Sequence, residues 1–243
     1  MALLALGQPG RALSPFDRAR TLARELNDLK RWADACAGSG GVARAMDEPG
    51  PAAEWLSDAR EAYEGLVRTA EAAAMDRVLG EALLALDHPD AAAARVEEAA
   101  RAHERLGASA SLADDLQFLA TLRAGQGDLP AARTLARRAV AARRDADDPP
   151  GEVEARVALA QLESLGDGWA AAARTLADAL PLVRRDGSPA DQVRLLILAA
   201  DVEHRAGNTP RCRELLEEAH RVAEQADLGE LRRLVADARQ RLR

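Results

Sequence analysis

The chain has 243 residues and carries 33 Lys and Arg against 40 Asp and Glu, a formal net charge of −7. Aromatic residues fall to 2% while alanine supplies nearly a quarter of the chain, a composition that points to closely packed helices in one long domain or two short ones. The longest apolar stretch, from Val193, is broken by Arg194 and falls short of the roughly 20 residues that cross a bilayer; the opening MALLALG lacks a basic leader, so a cytoplasmic protein is expected.

Laid out in rows of 40, the chain repeats. A turn residue recurs at Gly7, Asp47, Asp87, Gly127, Asp167 and Gly207, and five residues later stands a small side chain: Ala12, Ala52, Ala92, Ala132, Ala172 and Cys212. Phe16, Leu56, Val96, Ala136, Leu176 and Leu216 follow four residues on, and Ala19, Ala59, Ala99, Ala139, Ala179 and Ala219 three beyond those. These steps mark one face of a helix. Upstream of each turn a second small column runs Gly40, Gly80, Ala120, Ala160 and Ala200. Each row is therefore read as helix, turn, helix, with small residues where the two helices approach closely.

In chain order, residues 1–28 form a partial repeat. Its Leu3-Leu4-Ala5-Leu6 duplicates the segment before Asp87, so the chain is expected to begin inside a repeat, after an upstream domain or cap. Rows follow at 29–68, 69–108, 109–148, 149–188 and 189–228, and residues 229–243 read as a polar capping helix. The second row carries Gly38-Ser39-Gly40-Gly41 inside its first helix, where a frayed helix or a bend is expected. Pro9, Pro49, Pro89, Pro130 and Pro210 stand in first turns, where a missing N–H costs nothing. Gly127-Asp128, Gly166-Asp167 and Gly207-Asn208 combine a helix stop with a cap, and Ser188-Pro189-Ala190-Asp191 and Asp227-Leu228-Gly229-Glu230 read as capped starts. His88 reads as a capping residue, and Asp147 to Gly151 as a loop that no helix crosses.

This pattern resembles the tetratricopeptide repeat in its form of about 40 residues, over nearly the whole chain. The resemblance is carried by the Gly or Asp turns, the paired alanines five and twelve residues later, the small residue seven before the turn, and Trp169, where that family often places an aromatic. It implies an all-α, right-handed superhelical solenoid of antiparallel helix pairs, about five to six repeats, as a single domain. It further implies that the first helix of each pair lines the concave face. Projected from the small column, that face carries Arg77 and Glu81, then Asp114, Gln117 and Thr121, then Glu154, Gln161 and Ser164, then Arg194, Asp201, His204 and Arg205. A lining of both charges suits a protein or peptide segment better than a polyanion. Repeats that hold acidic chaperone tails place Asn where this chain has Val78, Phe118, Ala158 and Leu198, which argues against that specificity.

Catalytic chemistry has no local signature. His88, His103, His204 and His220 form no HExxH pair, the glycines from Gly38 lack a following GK[ST], and Cys36 and Cys212 make no CxxC. Both thiols read as reduced, and Cys212, in the small column, as structural. Neither a cofactor nor a metal is expected. The pairs Arg137-Arg138, Arg143-Arg144, Arg184-Arg185 and Arg232-Arg233 alternate with acidic residues, a solvated helix face rather than a nucleic-acid contact. The expected function is a non-catalytic binding module. By resemblance to the C-terminal repeats of bacterial signalling ATPases and large transcriptional activators, it is the sensor or scaffold part of a larger regulator. The alternatives are a self-contained peptide receptor or homo-oligomeric scaffold, and an enzyme built from Glu81, Asp114 and His204.

Overall fold

A computed structural model of the chain describes residues 9–166 and 168–241, with side chains from residue 15 onward. The expectations placed on residues 3–6, Gly7, Asp167, Arg243 and the Ala12 side chain lie outside the described residues. Within the described residues there are twelve helices and no strand. They are α1 (Pro9–Glu25), α2 (Leu29–Ala45), α3 (Pro49–Gly65), α4 (Thr69–Ala85), α5 (Pro89–Leu106), α6 (Ser109–Gly125), α7 (Leu129–Asp145), α8 (Pro149–Ser164), α9 (Trp169–Asp186), α10 (Pro189–Arg205), α11 (Thr209–Gln225) and α12 (Gly229–Arg241). The chain divides into two compact units, Met1–Leu122 and Arg123–Arg243.

The backbone repeats on a grid half as long as the 40-residue row. Left-handed residues stand at Asn27, Asp47, Val67, Asp87, Gly107, Gly127, Asp147, Gly207 and Asp227, twenty apart wherever the series is unbroken. At each, the N–H of the following residue reaches back five residues: Glu48 to the Ala43 carbonyl at 2.9 Å, Arg68 to Tyr63 at 2.8 Å, Leu228 to Ala223 at 2.9 Å. This is the Schellman stop, which satisfies carbonyls the helix end leaves open. One residue then intervenes before the next helix, so successive helices run antiparallel. Asp28, Asp128, Asp148 and Asn208 use that single residue as a side-chain cap, on the N–H of Arg31, Ala131, Gly151 and Arg211. His88 occupies the same position before α5 but makes no side-chain cap, contrary to the sequence expectation. The α9–α10 link departs from the grid: Gly187 is extended at φ −85°, and Ser188 caps α10 through the Asp191 N–H.

In the first unit each of α1 to α5 packs on its neighbours in sequence; in the second, α7 to α12 do the same, and α10 also touches α12. The small columns are the contact points. Ala52, Ala92, Ala132, Ala172 and Cys212 are completely enclosed, as are Ala59, Ala99, Ala179 and Ala219. Across the first pair a Cβ on Gly40 would lie 2.6 Å from Leu56 Cγ and 3.3 Å from the Ala52 carbonyl oxygen; across the second, one on Gly80 would strike Val96 and lie 3.2 Å from the Ala92 carbonyl. The two small columns therefore face each other within a pair, and the residue four beyond fills the space beside them.

Two local expectations are corrected. The Gly38-Ser39-Gly40-Gly41 segment lies within an unbroken α2. Two of its three glycines admit neighbours: a Cβ on Gly38 would enter the Phe16 ring and one on Gly40 would crowd Leu56, whereas one on Gly41 would meet nothing within 4 Å. Packing across α1 and α3 thus holds as a helix a sequence whose local preference is against it. Asp147 to Gly151 is likewise not one loop. The break covers Asp147 and Asp148, while Pro149, Pro150 and Gly151 are the first turn of α8, where proline needs no N–H partner.

Candidate functional site

The first helices of the pairs, α4, α6, α8 and α10, present one polar stripe each. On α6, Asp114 and Thr121 are exposed and Gln117 half-buried, whereas Ala113, Asp115, Leu116, Leu119, Ala120 and Leu122 are buried. The helical period sets this alternation. Forty residues on, Glu154 and Gln161 of α8 are exposed, and forty further Arg194 is exposed and Asp201 half-buried. Arg77, Glu81, Ser164 and His204 are half-buried and Arg205 exposed. None of the twelve sequence-selected residues is buried.

Within the first unit, Arg77 is the centre of the stripe. Its guanidinium pairs with Glu81 one turn along α4, and Glu81 also pairs with Arg44 of α2. The same guanidinium lies 5.3 Å over the Phe118 ring, and its Nε stands 3.6 Å from Asp115 Oδ1 without a hydrogen bond. Asp115 is fully enclosed, and its other oxygen meets His103 Nδ1 of α5 at 2.6 Å. Burial pushes the Asp115 carboxyl above the usual range, opposed only in part by the His103 hydrogen bond and the nearby Arg77. Thr121 donates to the Gln117 carbonyl at 3.0 Å, within the helix.

In the second unit Arg205 pairs with Asp201 at 3.0 Å and lies 5.0 Å over the Trp169 ring. Arg194 reaches Asp191 at 3.3 Å, and Ser164 donates to the Ala160 carbonyl at 2.8 Å. His204 Nδ1 is enclosed without a hydrogen-bond partner. Among the described residues no hydrogen bond, ion pair or ring contact joins Glu154, Gln161 or Ser164 to Arg194, Asp201, His204 or Arg205, and of the four on α10 it is Arg205 and Asp201 that pair. Glu154 instead borders a cavity of about 230 Å³ with Val153, Leu182 and Asp191.

Buried polar groups are where sequence reasoning fell short. Asp76, His103, Asp115, Glu152 and Glu163 are all inside. Asp76 is pushed up by burial even though Arg60 stands 2.7 Å and Arg95 3.6 Å away. Burial acts in the same sense on Glu152, but there the Arg144 and Arg156 guanidiniums at 2.9 and 2.8 Å prevail and hold the carboxyl below its usual range. Glu163 joins Arg137 at 2.9 Å to Thr175 at 2.7 Å. A signal existed for Asp115: its counterparts in other rows are Ala35, Met75, Ala155 and Leu195, a column of core residues.

The arginine pairs are largely spent on carboxylates. Arg144 holds Glu152, Arg184 holds Glu218 at 2.8 Å, and Arg232 holds Asp227 at 2.6 Å. Cys36 and Cys212 are both enclosed, and burial pushes the Cys36 thiol up to about 11 and raises that of Cys212, so neither is an activated thiolate. Among the described residues no cluster of His, Cys, Asp and Glu could hold a metal ion, and no helix is long and apolar enough to cross a membrane.

No protein-family model and no curated protein matches the sequence. Solved structures do match in fold. A signal transduction ATPase with numerous domains and a tetratricopeptide repeat sensor, from Pyrococcus horikoshii, is 14% identical with a TM-score of 0.77, over 96% of this chain and 37% of that one. BtubC from P. vanneervenii is 16% identical with a TM-score of 0.73, over 90% and 92% of the two chains. A Rap protein complexed with competence and sporulation factor is 12% identical with a TM-score of 0.63, over 100% and 73%.

Proposed function

From a fold of the tetratricopeptide-repeat type, an all-α solenoid of helix pairs, we propose that this chain is a non-catalytic protein- or peptide-binding module whose binding faces are those of the first helices, α4 and α6 within the first unit and α8 and α10 within the second. The observation that carries this reading is the recurrence of polar side chains at one register, exposed at Asp114, Glu154 and Arg194 and again at Thr121 and Gln161, and half-buried at Asp201, beside columns wholly given to packing. Mixed charge at those positions favours an extended segment with its own polar pattern over a polyanion. A Rap protein of this fold is complexed with competence and sporulation factor, and the Pyrococcus ATPase carries its repeats as a sensor. On that likeness we propose the finer reading, a sensor or scaffold part of a larger bacterial regulator in the cytoplasm, attached to an effector domain.

The test is a peptide array probed with the full chain and two variants, Arg77→Ala with Gln117→Ala, and Glu154→Ala with Gln161→Ala. Peptides held by the wild type should lose at least tenfold in affinity to one variant, while circular dichroism stays unchanged. Undiminished binding by both variants would refute the assignment of the face. If the occupant is a second copy, light scattering gives a mass that rises with concentration; a constant monomer removes that alternative.

A further inference from the structure

A second polar cavity lies on other residues. About 430 Å³ in volume, it is formed in the first unit where α3 and α5 flank the N-terminal half of α4. Its lining holds four arginines, Arg60, Arg68, Arg101 and Arg105, against Glu64, Asp76 and Glu98, one more cation than anions in a chain of net charge −7.

The charges are sorted within it. At one end every carboxylate has its cation: Arg60 stands 3.3 Å from Glu64 and 2.7 Å from Asp76, and Arg95 stands 2.9 Å from Glu98. At the other end the cations outnumber their partners. Arg68 pairs with Glu71, but Arg101 and Arg105, one turn apart on α5, meet no carboxylate among the described residues. Arg105 spends only its Nε, on the Arg101 carbonyl at 3.2 Å, which leaves the terminal nitrogens of both guanidiniums available. Between them and α4 the wall is small, Ala72, Ala73 and Ala102, so a ligand can come close. Arg68 sits at the N-cap position of α4 without a side-chain cap, and Glu71 of that first turn takes both the Arg68 guanidinium and its own backbone N–H, so the donors left at this end are the Arg101 and Arg105 guanidiniums and the Thr69 hydroxyl.

We propose that this cavity is a phosphoryl-binding site, taking a dianionic phosphate monoester between Arg101, Arg105 and the start of α4. The dianion is favoured over a carboxylate by stoichiometry. A carboxylate fills one guanidinium fork and neutralises one charge, whereas a phosphate monoester has three terminal oxygens and nearly two charges, enough for both forks and one further donor such as the Thr69 hydroxyl. The monoester comes either from a soluble metabolite or from a phosphorylated side chain. None of these residues belongs to the first-helix stripe, so this site stands or falls independently of the peptide face.

The experiment is an amide-resolved NMR titration of the full chain with inorganic phosphate, glucose 6-phosphate, a phosphoserine hexapeptide and, as the monovalent control, acetate. Saturable shifts confined to residues 69–76 and 101–105 are expected with the phosphates. Affinity should fall at least tenfold in Arg101→Gln with Arg105→Gln and stay unchanged in Arg221→Gln, an exposed arginine of α11. Tighter binding of the sugar phosphate identifies a metabolite as the source, and tighter binding of the peptide a phosphorylated partner. Acetate equal to phosphate, no saturable shift, or a folded double glutamine variant that binds as the wild type does would each overturn the site.

Discussion

Val67 sits at φ 57°, in the left-handed region, with 85% of its surface exposed. Its counterparts on the twenty-residue grid are Asn27, Asp47, Asp87, Gly107, Gly127, Asp147, Gly207 and Asp227, residue types that tolerate that conformation. A β-branched side chain does not, and the conformation costs an L-residue about 1–2 kcal/mol. Because the side chain is almost fully in solvent, its removal forfeits little burial. Val67→Gly recovers that cost less ~0.4–1 kcal/mol for the freer unfolded chain, a net gain of about 0.5–1 kcal/mol, and Val67→Asn gains similarly without the glycine entropy. Thermal unfolding followed by circular dichroism should show the midpoint rise by roughly 2–4 °C per kcal/mol in a chain of this size. Gly107→Ala provides the opposite sign: its φ is 65° and a Cβ there would meet nothing within 4 Å, so any loss reports backbone strain alone, again about 1 kcal/mol. A fall in midpoint for both Val67 variants, or no change in Gly107→Ala, would refute the argument that these turns are held by backbone conformation.

Gly80→Ala should destabilise by about 1–3 kcal/mol through overpacking against Val96, whereas Ala120→Gly, in the same column, should cost only about 1 kcal/mol from helix propensity; urea midpoints compare them. Ala132→Leu, at a fully enclosed position, should cost roughly 1–3 kcal/mol, while exposed Gln161→Ala stays within about 0.5 kcal/mol; equal losses would contradict the assignment of faces. Glu152→Gln carries a pH signature. The carboxyl is held below its usual range in the folded state, so its contribution is present above the unfolded value near 4.3 and is lost as pH falls through the lower folded value. Removing its charge-assisted hydrogen bonds should cost about 1–3 kcal/mol at pH 7, and the gap from wild type in thermal midpoint should narrow on acidification; a gap that widens would reverse the sign.

Much of the architecture was legible because helix packing imposes a periodic demand on side-chain size. A helix pair closes only where its contact residues are small, so Ala52, Ala92, Ala132 and Ala172 return at fixed intervals and can be counted. The turns were legible only by half. Asp47, Asp87, Gly127 and Gly207 stood out as a column, but the matching stops at Asn27, Val67, Gly107, Asp147 and Asp227 are spread over four residue types, since the Schellman stop is a backbone arrangement that several side chains allow. The glycines of α2 misled for the related reason that propensity is local and weak, and contacts with Phe16 and Leu56 from neighbouring helices override it.

Sequence by itself determined the helical class, the repeat and the side chains that line its contacts, because each follows from neighbours within one helical hairpin. Tertiary structure alone decided which charges are buried and which are left over. Asp114 and Asp115 are adjacent and chemically alike, yet one is exposed and the other is enclosed against His103 and Arg77. Arg60 is spent on carboxylates while Arg101 is not. Such outcomes depend on what a second and third helix bring within a few ångströms, and electrostatic interactions change most steeply over that distance.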